Sequence, residues 1–203
     1  MKSISLLAVL LAALTLNTQA ALAENIVWQN SYSLETAAKY AEAMAAMDSV
    51  PANGSDAELK TLRRAWLLYL QGRYDESIRE YGFAIQRNNK SVDARVGITL
   101  PQLALKRWND AAQNARTALQ MAPNNYTALL RLALALEGEK NWDEMAKVTT
   151  ALVAAYPTDA TAYVYLARAK AWQGKVDEAV AAYAAVLARY PGHLEAKAYL
   201  EKK

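Results

Sequence analysis

The sequence predicts an all-α fold, a right-handed α-solenoid of repeated helix–turn–helix units, and three observations carry that reading. Beyond residue 23 the chain is rich in alanine and leucine with few β-branched runs, a composition that favours helix. Four segments, beginning at Gln71, Leu105, Glu139 and Gln173, align at a spacing of 34 residues without insertion. In step with them an aromatic or valine recurs at Tyr74, Trp108, Trp142 and Val176, and proline at Pro123, Pro157 and Pro191.

Taken in order, the chain opens with a leader. Lys2 supplies a positive start, Ile4 to Leu16 an apolar run, and Ala21-Leu22-Ala23 the small residues of a cleavage site. A membrane span needs roughly 20 apolar residues, and Asn17, Thr18 and Gln19 interrupt this run too early. The expectation is a signal peptide over 1–23, cleaved near Ala23, that leaves a soluble, exported, periplasmic protein with no membrane span. Cysteine is absent, which excludes disulfides, thiolate metal sites, thiol nucleophiles and lipid attachment to a cysteine after the leader. Without Lys2, 22 basic residues face 20 acidic ones, too even a balance for a nucleic-acid partner.

Residues 33–50 ("SLETAAKYAEAMAAMDSV") predict one helix that covers the N-terminal end, within a segment 24–57. Asn53-Gly54 marks the turn after it, and Ser55 to Glu58 reads as a capping box. Each following unit divides into two helices. Asp75, Asn109, Asp143 and Asp177 are expected to cap the second helix, with Glu76, Asp110, Glu144 and Glu178 in its first turn against the helix dipole. Ser91, Asn125 and Asp159 are expected to cap the first helix of the next unit. Residues 194–203 form a short polar-faced cap, and His193 stands at its start.

Counting position 1 at Glu58, Val92, Tyr126 and Ala160, position 8 holds Ala65, Thr99, Ala133 and Ala167. Position 20 holds Ser77, Ala111, Met145 and Ala179, and position 24 holds Tyr81, Ala115, Thr149 and Tyr183. Tyr40, Ala43 and Met47 fall on positions 17, 20 and 24 of a preceding unit. Small residues at 8 and 20, an aromatic at 24 and proline at 32 resemble the tetratricopeptide repeat, here over 58–91, 92–125, 126–159 and 160–193. The two middle units lack the aromatic, and the first has Asn89 in place of proline.

The resemblance implies a concave surface, lined by the first helices, that binds peptides or partner helices. Carried onto this chain it implies a groove of Leu62, Trp66, Tyr69, Val96, Leu100, Leu103, Leu130, Leu134, Val164, Arg168 and Trp172. The lysine and asparagine set with which some family members clamp a terminal carboxylate is missing. Trp66 and Tyr69 either line this groove or pack under the N-terminal helix, and Trp172 either lines it or joins the core. Residues 25–32 ("NIVWQNSY") offer an alternative occupant from the chain itself. His193, Arg63-Arg64 and Lys202-Lys203 read as solvated. No phosphate-binding glycine loop, nucleophile elbow or helical zinc motif occurs. The expected function is therefore an interaction module for an apolar segment of an envelope protein, without cofactor or catalysis; the alternative is a homo-oligomer whose groove a neighbouring copy fills.

One stretch strains this picture. Residues 96–105 ("VGITLPQLAL") place Pro101 inside a predicted first helix, at a cost of about 3 kcal/mol. Correctly spaced units on both sides predict a kinked helix there. Gly97, whose carbonyl loses its partner, carries no side chain to worsen the crowding. Either the kink is simply tolerated, or it widens the groove and leaves that carbonyl free for a ligand.

Overall fold

The computed structural model describes residues 25–54 and 56–202, so the expected leader lies outside the described residues. These residues form α1 (25–36), α2 (Tyr40–Ala45, continued by a 3-10 turn Ala46–Ser49), α3 (Ala57–Leu70), α4 (Tyr74–Arg87), α5 (Val92–Ala104) and α6 (Trp108–Met121). They continue through α7 (Tyr126–Glu139), α8 (Trp142–Ala155), α9 (Ala160–Trp172), α10 (Val176–Arg189) and α11 (Leu194–Leu200). Among the described residues there is no strand.

The same joint closes every first helix. Ala38, Gly72, Lys106, Lys140 and Gly174 adopt left-handed backbone, with φ between 57° and 74°, at a constant spacing of 34 residues. The left-handed residue donates its N–H to the carbonyl three back, and the next N–H reaches five back. At Lys106 these bonds are 3.0 Å to Leu103 and 2.8 Å from Arg107 to Gln102. Such a joint satisfies carbonyls that a helix end would otherwise leave unpaired.

The joint at Ala38 corrects the expected helix over 33–50. The chain is helical from 25, breaks after 36 and restarts at Tyr40, one repeat length before Tyr74. Residues 25–49 are thus a helix pair on the same register. No glycine or proline marks the break, because the hydrogen bonds from Ala38 to Glu35 and from Lys39 to Leu34, both 2.8 Å, produce it.

A second correction concerns the caps. The second helices begin at Tyr74, Trp108, Trp142 and Val176, so Asp75, Asn109, Asp143 and Asp177 lie inside the first turn. Where a side chain caps one of them it is Asn141, which accepts from the Glu144 N–H at 3.3 Å. The acidic pairs still complement the positive helix end. The first-helix caps are as expected: Ser91, Asn125 and Asp159 each accept a backbone N–H, and so does His193 through Nδ1. The capping box expected at Ser55 lies outside the described residues; Asp56, the residue before α3, makes no side-chain cap and accepts from Trp28 Nε1.

Positions 8 and 20 explain how tightly each pair closes. Ser31 and Ala43, Ala65 and Ser77, Thr99 and Ala111, Ala133 and Met145, and Ala167 and Ala179 are all fully buried. All but Met145 are small, which lets the two backbones approach. In two pairs a serine spans them, Ser31 Oγ to the Ala43 carbonyl (2.9 Å) and Ser77 Oγ to the Ala65 carbonyl (2.7 Å).

The chain divides into two compact units at Glu80–Tyr81. In the first, α1 is bound to α3 by Arg63, which is only 5% exposed, contrary to the solvated face expected. Its guanidinium donates to Ser31 Oγ (3.2 Å), the Ser31 carbonyl (2.9 Å) and Glu35, and lies 4.0 Å from the Tyr32 ring centroid. A buried guanidinium needs such saturation.

In the second unit the core runs through Ala111, Ala115, Leu132, Leu136 and Met145, then Val164, Ala167, Tyr183 and Val186. Helix α5 is continuous through Pro101, whose ring is fully buried. Gly97 has a reason beyond the proline: a Cβ there would lie 2.3 Å from Cε1 of Tyr81. Gly138 is alike, since its Cβ would stand 2.4 Å from the Trp108 ring.

Candidate functional site

The structure sorts the expected groove residues, all on first helices, into three sets, one in the first unit and two in the second. In the first unit Leu62, Trp66 and Tyr69 are half-buried on α3. Trp66 Nε1 donates to Glu35 Oε1 (2.9 Å) and its ring stacks on Tyr69 at 5.4 Å. The indole edge is therefore engaged by α1. Residues 25–32, the alternative occupant, are part of that helix.

In the second unit Val96, Leu100 and Leu103 on α5, with Leu130 and Leu134 on α7, form an aliphatic row that neighbouring helices cover only in part. Their spacings along each helix, four, three and four residues, place them on one stripe. Val164 departs from the expectation: it is buried in the core with Ala167 and Val186. Trp172 departs the other way from its core alternative. It is 64% exposed and stacks on Trp142, with centroids 5.2 Å apart and planes 10° apart.

Arg168 ends the row and organises a polar cluster. Its Nε and Nη2 donate to Glu195 Oε1 (2.8 Å) and Oε2 (2.6 Å), a bidentate pair, while Nη1 reaches Glu137 Oε1 at 3.4 Å. Tyr183 donates its hydroxyl to Glu195 Oε1 at 2.7 Å. The hydrogen bond from Arg168 holds the Glu195 carboxyl below its ordinary value, against the opposing effect of burial. The same bond raises Arg168, and burial followed by the bond to Glu195 raises the Tyr183 phenol. All three groups stay in their neutral-pH protonation states. Around them lies a concavity of about 400 Å³ lined by these three side chains with Glu137, Trp172 and Tyr199.

Sequence reasoning placed Arg168 in the groove but missed Glu195 and Tyr183 as its partners. Glu195 belongs to the short terminal helix and Tyr183 to a second helix, whose partners no single-unit pattern reveals. A signal did exist for Glu137: it occupies position 12, as Glu35 does three units earlier. Each accepts from position 9 of the following unit, Trp66 or Arg168, 31 residues on. Among the described residues no group of three or more His, Cys, Asp or Glu side chains is placed to hold a metal ion. No helix there is long and apolar enough to cross a membrane.

Comparison with known proteins agrees with this geometry. Residues 102–160 and 161–193 match tetratricopeptide repeat family models. No curated protein sequence matches the chain. Among solved structures, MamA from Desulfovibrio magneticus RS-1 is similar with TM-score 0.73 and 15% identity, over 86% of this chain and 97% of that one. A tetratricopeptide repeat protein from Parabacteroides merdae gives TM-score 0.74 and 16% identity, over 89% and 72%. YrrB, described as having an unusual peptide-binding site, gives 0.71 and 16%, over 86% and 90%. The helix pairs are those of a tetratricopeptide α-solenoid, and over residues 102–193 the chain carries the tetratricopeptide repeats of a protein–protein interaction module.

Proposed function

We propose that this protein is an exported interaction module, a scaffold or assembly factor of the cell envelope, and that its first-helix face grips an apolar peptide or helix. One observation carries the binding half: five aliphatic side chains, Val96, Leu100, Leu103, Leu130 and Leu134, share a stripe on α5 and α7 and remain half-buried. Apolar surface left in one strip gains most by receiving the matching strip of another helix. The leader-like residues 1–23 support the export half.

Crosslinking in cells tests the first half. Leu100→Asp and Leu134→Asp place a charge on the stripe and are expected to abolish partner capture while the circular dichroism stays helical. Capture equal to wild type would defeat the reading. Cell fractionation with N-terminal sequencing tests the second, the expected result being a periplasmic chain that begins at Glu24. Sedimentation at high concentration separates a foreign occupant from a neighbouring copy, because a monomer leaves the stripe open.

A further inference from the structure

We infer that the concavity beside Arg168 receives one basic side chain, arginine or lysine, near the end of an otherwise apolar partner helix. The inference rests on the partner-binding reading of the first-helix face and adds the charge that the partner carries. Charge decides the sign. Glu137 and Glu195 bring two negative charges and Arg168 one positive, so the cluster is net anionic. Arg168 is committed, since an incoming carboxylate would have to displace two short parallel bonds to Glu195. Glu195 is committed as well, with the Tyr183 hydroxyl as a further donor.

Glu137 differs. Among the described residues the hydrogen bonding of its carboxylate is limited to the 3.4 Å contact with Arg168, which leaves acceptor capacity toward the concavity it lines. Trp172 lines the same concavity. Stacking on Trp142 holds its indole in place while most of its surface stays open, and an indole face attracts a cation. Tyr183 and Tyr199, with ring centroids 4.5 Å apart, add aromatic surface. Position selects the occupant. Glu137 follows Leu130 and Leu134 at the next steps along one face of α7, so a helix lying on the leucines brings its end to this carboxylate.

The test is a selection of random 12-residue peptides on the purified protein. Selected peptides should carry an apolar stripe with a lysine or arginine near one end. Replacing that residue with glutamine should weaken binding about tenfold. The Glu137→Gln protein should then bind the basic and glutamine peptides alike. Equal binding of both peptides by the wild-type protein, or selected peptides without a basic residue, would overturn the inference and leave the apolar stripe intact. Arginine amide binding as tightly as the peptides would also overturn it. Failure to enrich any apolar peptide, or enrichment indifferent to Leu134→Asp, would instead remove the underlying reading and the inference together.

Discussion

At the scale of single residues, two glycines are held in place by neighbouring rings. Glycine inside a helix is disfavoured by about 1 kcal/mol relative to alanine, so Gly97→Ala would ordinarily stabilise α5. Here the new methyl would press on Tyr81, which is 5% exposed and has no room to retreat. Overpacking of this kind costs about 1–3 kcal/mol. Gly97→Ala is expected to lower the urea midpoint, and Tyr81→Val in the same chain to recover part of the loss, a coupling that a double-mutant cycle reads directly. Arg63 offers the opposite case of a charge kept by its partners. Arg63→Ala leaves Glu35 without its guanidinium and is expected to cost about 3 kcal/mol by equilibrium unfolding.

At the scale of elements, Pro101 sets helix propensity against packing. Alanine would recover about 3 kcal/mol of propensity and lose two buried carbons at about 0.8 kcal/mol each. Pro101→Ala should therefore stabilise the protein by roughly 1 kcal/mol, measured by urea unfolding. Helix α11 behaves differently, because it is tied down by a carboxylate. Since folding depresses the Glu195 pKa, its contribution is present above the ordinary value of 4.5 and is lost as pH falls through the depressed one. Amide protection in residues 197–200, taken relative to intrinsic exchange rates at each pH, should fall on acidification through that value. Glu195→Gln should exchange faster at neutral pH and lose most of this pH dependence.

At the scale of the whole molecule, the repeat made the fold legible while partners from different units stayed hidden. Spacing alone located four helix pairs, because insertions are absent and Trp108 and Trp142 recur in step. It placed Tyr40, Ala43 and Met47 in register but missed the first helix of their pair, 25–36, because the break at Ala38 is made by hydrogen bonds and carries no glycine. Partial exposure was legible for aliphatic residues such as Leu100 and Leu134, which stay half-buried. It was misread at Val164, which the neighbouring helices bury, and at Arg63, whose partner Glu35 lies in a helix the spacing did not reveal. The same pair changes what truncation should do. A chain beginning at Lys39 lacks Ser31, Tyr32 and Glu35, so α3 loses the helix that Arg63 ties to it and the face that helix covers is laid open. It is expected to lose helical ellipticity beyond the deleted residues and to be cleaved within α3 in limited proteolysis. A fully helical, protease-resistant α3 would contradict this.

The left-handed joints have a consequence for how such a chain can change. Three of the five, Ala38, Lys106 and Lys140, hold that backbone with a side chain attached, at a cost of about 1 kcal/mol each. Glycine already does the same work at Gly72 and Gly174. The joints meet the leucine row and the Arg168 cluster only through backbone carbonyls, those of Leu103 and Glu137, and leave their side chains alone. Robustness and recognition are therefore written in different letters of this sequence, and either can be revised while the other is kept.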